Sequence, residues 1–213
     1  MNLEDTTATI VELKSFEKEL AALCREGVVK GPAHFSVGNE IPLIKIFRGI
    51  KKGEYIHSNQ LNKYGPSNLN NIIEVHDEID ETHPIFRGIN KKDHVFASYR
   101  SHYHALLHGI DREWLKNRIV EGKSMYPISK KHNFITSAIV PGHLPIALGT
   151  ALGLKMQKSR HHVWAFCGDM AYETGCFEEV SKYAQNFGLP ITFIVEDNGK
   201  GIPAILHDKI FVP

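Results

Sequence analysis

Residues 163–196 read VWAFCGDMAYETGCFEEVSKYAQNFGLPITFIVE. Val163 to Cys167 is a short, fully apolar run, the pattern of a strand buried on both faces of a parallel sheet. Gly175 to Phe187 carries Phe177, Val180, Ala184 and Phe187 at spacings of three and four, which is helical. Gly188 closes that helix, and Ile191 to Val195 is a second buried strand. Strand, helix and strand joined by short links form a βαβ unit. It predicts an α/β fold of three layers, a mostly parallel sheet with helices on both faces.

Working outward, Pro145 opens an apolar helix through about Met156, with Gly149, Ala151 and Gly153 allowing close packing. Residues 94–98 (HVFAS) read as a strand. Residues 57–71 are rich in Asn and contain Gly65-Pro66, so they read as a loop, and 72–80 as a short helix. Residues 40–50 form a second short helix ending near Gly49. Residues 9–25 place Ile10, Leu13, Phe16, Leu20 and Leu23 on one face of an amphipathic helix, stopped by Gly27 and Gly31-Pro32. One echo crosses this region. Ile46-Phe47-Arg48-Gly49-Ile50 recurs 39 residues later as Ile85-Phe86-Arg87-Gly88-Ile89. Each copy is followed by a Lys pair, an acidic residue and a short β-branched stretch. We read it as a local duplication of no assigned function.

The chain has 213 residues, enough for one ordinary domain that buries about 70% of its unfolded surface. Apolar residues make up 42% and charged residues 23%, the balance of a folded globular protein. With 25 Lys plus Arg against 24 Asp plus Glu, no basic excess points to nucleic acid. No apolar run reaches membrane-spanning length, and Met1 to Leu20 lacks a secretory core. Cys24, Cys167 and Cys176 are an odd set without metal-ligand spacing and read as reduced thiols. The expectation is a cytoplasmic protein.

In open α/β sheets, ligands bind beyond the carboxyl ends of the strands. One predicted strand runs into Gly168-Asp169-Met170-Ala171, the other into Glu196-Asp197-Asn198-Gly199-Lys200-Gly201. Either fragment alone is an ordinary turn. As a pair on neighbouring parallel strands they place a carboxylate beside an amide oxygen. That is half of a hard-oxygen cage suited to Mg²⁺, which completes its octahedron with phosphate oxygens and water. Gly168, Ala171, Gly199 and Gly201 let backbone approach a phosphate.

These residues resemble the thiamine-diphosphate signature, a Gly-Asp turn closed by an Asn about thirty residues later; the interval here is 29. The family is the α subunit of the first component of 2-oxo acid dehydrogenase complexes, of the pyruvate and acetoin dehydrogenase type. Upstream, HFSVGNE (34–40), SYRSHYHALLHGID (98–111) and SAIVPGHLPIALG (137–149) resemble further family segments in the same order. The resemblance implies the three-layer thiamine-diphosphate-binding fold, as one diphosphate-binding domain over 1–213 with a divergent insert at about 51–92. It implies Asp169, Asn198 and the Lys200 carbonyl as Mg²⁺ ligands. Tyr99 and Arg100 would hold the diphosphate, where an Arg fork is apt. Backbone groups of Ala138 and Val140 would meet the aminopyrimidine. Gly168, Met170 and Ala171 would flank the diphosphate, and His34 and His102 would face the reacting end of the cofactor.

The sequence departs from the family pattern at Met170, Asp197, Pro141 and His143, and only a short stretch follows Lys200. Activity implied by the resemblance is cleavage or decarboxylation of a 2-oxo acid with transfer of the activated aldehyde. The cofactor carries that chemistry and the protein positions it. The activating glutamate belongs to a pyrimidine-binding domain for which this chain shows no candidate. A β-type subunit is therefore expected, most simply as α₂β₂, with a lipoyl acyltransferase as a further partner. Two other readings stay open: a transketolase-like or carboligase subunit acting on sugars, and a non-catalytic interaction subunit that retains the fold. A nucleotide-binding enzyme would need GxGxxG or GxxxxGK[ST], and neither occurs.

Overall fold

A computed structural model describes residues 3–50, 56–57, 72–73 and 84–196. In chain order, α1 (Leu3–Arg25) and α2 (Glu40–Arg48) precede two short strands, β1 (Ile56–His57) and β2 (Ile72–Ile73). Then come α3 (Pro84–Arg87), β3 (His94–Ser98), α4 (His102–Leu107), α5 (Arg112–Val120), a 3₁₀ turn at Lys130–His132 and β4 (Phe134–Ser137). The chain continues through α6 (His143–Met156), β5 (Val163–Gly168), α7 (Asp169–Tyr172), α8 (Gly175–Asn186) and β6 (Ile191–Glu196).

The central sheet has the order β4-β3-β5-β6, with all neighbouring strands parallel. Strand β5 is buried from Val163 to Cys167, as its unbroken apolar run requires. Its alternate residues serve two cores. Trp164 and Phe166, with Val95, Ala97 and Phe134, pack against Leu13, Phe16 and Leu20 of α1 and Leu43, Ile44 and Phe47 of α2. Val163, Ala165 and Cys167, with Phe96, pack against Leu144, Ala147 and Ala151 of α6 and Phe177, Val180 and Ala184 of α8. The three-layer α/β architecture expected from the βαβ stretch is therefore observed.

At the amino edge of the sheet, Asp93 is 1% exposed. Its carboxylate accepts from His162 N–H (3.0 Å), Asn90 N–H (3.1 Å) and Trp164 Nε1–H (3.0 Å), and pairs with Arg87 at 2.9 Å. It thus ties the entry of β3 to that of β5.

Three boundaries differ from expectation. Helix α1 starts at Leu3, before the apolar pattern does. Arg48 reaches across from α2 to pair with Asp5 (3.1 Å) and donate to Thr9 Oγ1 (2.7 Å), which steadies the polar first turns. Helix α6 starts at His143, two residues before Pro145, because first-turn N–H groups have no intrahelical acceptor and a proline there forfeits nothing. Ile72 and Ile73 are strand, not helix: they pair antiparallel with Ile56 and His57. Two adjacent β-branched residues offered a partner strand take it over a weak helical preference. The rest of the 57–71 loop and of the 72–80 helix lies outside the described residues.

Candidate active site

Because the four strands are parallel, their carboxyl ends share one edge. Register sets Gly168 opposite Glu196, and Ser98 opposite Ser137. The residues that follow emerge together: Tyr99-Arg100 after β3, Ala138 to Val140 after β4, and Asp169 at the start of α7. The predicted ligands Asn198 and Lys200 lie just past β6, outside the described residues.

Tyr99 and Arg100 are half-buried at this edge. The Arg100 guanidinium sits 5.9 Å from the centroid of the Tyr99 ring. The His34 ring meets Tyr99 edge-on at 4.7 Å between centroids. The structure thus brings together three of the predicted site residues. Partial burial, then the Arg100 charge, then His102 hold the His34 imidazole below its ordinary value, which favours the neutral ring near neutral pH. Ala138 and Val140 are exposed on the loop leading to α6. Met170 lies within α7 without a positive φ. The Ala171 side chain turns into the α6–α8 core, so only its backbone faces the edge.

Gly168 has extended backbone, φ −82° and ψ 168°. Among the described residues, a Cβ placed there would meet only the Glu196 carbonyl, at 4.0 Å, which leaves room over Gly168 at the strand end. Asp169 supplies one carboxylate at that point. Among the described residues no group of three His, Cys, Asp or Glu side chains is arranged around a common metal position. A metal there would depend on Asp169 together with residues past β6.

His102 takes a different place from the one expected. It is fully buried at the start of α4. Its Nδ1 lies 3.2 Å from Glu17 Oε1 and its Nε2 lies 3.0 Å from Ser124 Oγ. In the neutral ring Nδ1–H donates to the carboxylate and Nε2 accepts from the hydroxyl. The imidazole therefore lies in the core with both nitrogens engaged. Helix geometry turns it inward, since residues 101–105 are all buried.

The loop carrying His34 is held from three sides by residues that motif reading did not single out. Glu17 Oε1 accepts from Ser36 N–H (3.0 Å), and Glu40 Oε1 accepts from Gly38 N–H (3.2 Å) and Tyr103 O–H (3.3 Å). Asn39 Nδ2–H donates to Glu196 Oε1 at 2.8 Å. Glu196 Oε2 lies 3.2 Å from His104 Nε2, an ion-pair distance without hydrogen-bond alignment. Glu17 carried a visible signal, a charge between Phe16 and Leu20 on an apolar stripe. The Asn39–Glu196 contact had none. Glu17 Oε2, Ser36 Oγ, Asn39 Oδ1 and Ser101 Oγ are buried without a hydrogen-bond partner among the described residues. Folded proteins rarely leave such atoms unmet, so this region behind the edge suits polar ligands or water.

His143, at the start of α6, is fully buried and its Nε2–H donates to the Phe166 carbonyl at 2.8 Å. Burial holds its imidazole below 6.5, and it does the same to His34, His94, His108 and His132. Below about pH 6.5 the unfolded chain takes up protons that the folded chain refuses, so stability falls as pH drops through that window. We expect the unfolding temperature to decline steadily from pH 7 to pH 5, with a shallower decline in His143→Gln. A flat or rising profile in scanning calorimetry would contradict this.

The family model for the dehydrogenase E1 component matches residues 83–205, more than half of the chain. The chain belongs to the dehydrogenase E1 component family. The match takes in Tyr99-Arg100, the Ala138–Val140 loop and Gly168-Asp169. The α-3 subunit of the chloroplastic pyruvate dehydrogenase E1 component of Arabidopsis thaliana is 30% identical over 126 residues, covering 52% of this chain and 29% of that protein. The α subunit of the acetoin:2,6-dichlorophenolindophenol oxidoreductase of Bacillus subtilis is 23% identical over 202 residues, covering 90% of this chain and 49% of that one. This E1 component chain thus spans about half, or less, of the length of these relatives. A solved thiamin diphosphate-dependent enzyme from Mycobacterium smegmatis overlays with a TM-score of 0.36 at 21% identity, covering 54% of this chain and 19% of that one.

Proposed function

We propose that this E1 component chain binds thiamine diphosphate through Mg²⁺ and is the α-type subunit of an enzyme that decarboxylates or cleaves a 2-oxo acid and hands on the activated aldehyde. The observation that carries this reading is the meeting of Tyr99-Arg100, Gly168-Asp169 and His34 at one carboxyl edge of a parallel sheet. When bound, the cofactor supplies a carbon nucleophile and an electron sink for decarboxylation. The residues bind and orient it. Asp169, Asn198 and the Lys200 carbonyl hold the metal, and Arg100 with Tyr99 holds the diphosphate. Gly168 and the backbone of Met170 and Ala171 lie along the diphosphate. Backbone groups at Ala138 and Val140 meet the aminopyrimidine. His34, neutral near pH 7, faces the reacting end and exchanges a proton there. His102 positions rather than touches, bracing the Arg100 turn through Glu17 and Ser124.

The names of the relatives support a 2-oxo acid or acetoin as the substrate class. A β-type subunit supplies the pyrimidine-binding domain and the activating glutamate, in an α₂β₂ assembly. A lipoyl acyltransferase and a cytoplasmic site belong to the same reading. Among the described residues no helix is long and apolar enough to cross a membrane. The test is turnover of pyruvate and acetoin, with an artificial electron acceptor, by this chain alone and with a co-expressed β-type subunit. Activity is expected only with the partner present. Full turnover by the chain alone would remove the two-subunit reading.

A further inference from the structure

The His34 and Tyr99 rings meet at the carboxyl edge, and the two segments that carry them are joined a second time, at a buried carboxylate of α1. Glu17 is 2% exposed. Its Oε1 alone serves both segments. It accepts from the N–H of Ser36, two residues past His34, at 3.0 Å, and from Nδ1–H of His102, two residues past Arg100, at 3.2 Å. Ser36 and His102 are buried as well, and His102 Nε2 accepts from the Ser124 hydroxyl at 3.0 Å. Glu40 holds Gly38 N–H, and Glu196 holds the Asn39 amide, but both act at the far end of the 34–40 segment. Among the described residues, the bond from Ser36 to Glu17 is the hydrogen-bonded tie nearest to His34.

We infer that Glu17 is a positioning residue of the site, whose one oxygen holds the His34 segment in register with the Tyr99-Arg100 segment and so keeps the His34 ring on Tyr99. Its consequence for catalysis rests on the proposed reading of these residues as cofactor-binding. Leu13, Phe16 and Leu20 already anchor α1 in the core, so the helix itself needs no carboxylate at this position. Burying a carboxylate is unfavourable unless hydrogen bonds compensate, and an apolar side chain of similar volume commonly serves packing as well or better. What an apolar side chain cannot do is accept from two segments at one point. A misplacement of about 1 Å between groups that act together can cost on the order of 100-fold in rate. The tie therefore bears on turnover although it lies outside the reach of the cofactor.

The imidazole proton resonance of His34, followed by NMR on the full chain at about pH 8 where the ring is neutral, reports the Tyr99 contact through its ring-current shift. His34→Gln assigns the resonance, and Tyr99→Leu gives its position without the ring. In Glu17→Met it is expected to move close to the Tyr99→Leu position. In Glu17→Gln, whose amide oxygen still accepts from both segments, it is expected to stay where the parent has it. The same holds for Leu20→Val, which loosens the same helix without touching the tie. His102→Phe removes the tie from its other end and is expected to match Glu17→Met, so a Glu17→Met chain that fails to fold does not end the test. With a co-expressed β-type subunit and saturating cofactor, kcat of Glu17→Met is expected to fall roughly tenfold or more and that of Glu17→Gln to be retained. An unmoved resonance in folded Glu17→Met or His102→Phe overturns the inference. So does an equal shift in Leu20→Val, since any loosening of α1 would then produce it. Titration of thiamine diphosphate into the parent chain decides the cofactor reading separately: absence of binding overturns that reading, whereas the resonance decides the tie.

Discussion

Asp93→Ala should lower the unfolding temperature by roughly 10 °C, the largest stability loss we expect from a single polar substitution here. The carboxylate is buried, as is the Trp164 indole, while the Arg87 side chain is 40% exposed. Removing it leaves the Trp164 indole N–H and two backbone N–H groups without their acceptor at once, and takes the ion-pair partner from the partly exposed Arg87. Leaving a buried donor without its acceptor costs about 1–3 kcal/mol, and Asp93 serves several donors at once. Asp93→Asn keeps acceptors for some of these donors and should lose less. Scanning calorimetry, with Trp164 fluorescence as the local reporter, reads both variants. A fall of only 1–2 °C, about 0.5 kcal/mol for a domain of this size, would show that the amino edge is held by other contacts.

Asp169→Ala should cost at least roughly 100-fold in Mg²⁺-dependent affinity for thiamine diphosphate, if the proposed function holds. The reason is charge. The other proposed ligands, Asn198 and the Lys200 carbonyl, are neutral, and Mg²⁺ gives up water reluctantly without an anionic oxygen. The substitution lies at the first position of the short helix α7, where the favourable interaction of an acidic residue with the helix N-terminus is worth about 0.3–1 kcal/mol. The variant should remain folded, so lost binding and lost folding can be told apart.

The fold was legible where hydrophobic period was strong. Val163–Cys167 and Ile191–Val195 carry unbroken apolar runs, and the stripe through Leu13, Phe16 and Leu20 has clear helical spacing. Strand β4 and helices α4 and α5 were not singled out. Phe134–Ser137 has only two buried residues, and α4 is buried by histidines and a tyrosine rather than by an aliphatic stripe. At the site, motif order named Tyr99, Arg100, Gly168 and Asp169, which follow the parallel strands β3 and β5 at one edge of the sheet. It could not foresee that one helical turn rotates His102 from beside Arg100 into the core. Nor could it find the ties from Glu17 to Ser36 and from Asn39 to Glu196. Those pairs are 19 and 157 residues apart, and no local period reports contacts at such distances. The Ile-Phe-Arg-Gly-Ile echo was visible as a repeat; that its copies bind each other, Ile50 N–H to the Ile85 carbonyl and Ile89 N–H to the Phe47 carbonyl, is a property of the folded chain.

In the proposed function, this chain holds a diphosphate cofactor through a metal at Asp169. Isothermal titration of thiamine diphosphate into the full chain tests it most directly, with Mg²⁺ and with EDTA, and with Asp169→Ala in parallel. The expected result is saturable one-to-one binding in Mg²⁺ that is lost in EDTA and in the variant. Equal binding by the folded variant, or no binding by the parent chain in Mg²⁺, would contradict the account.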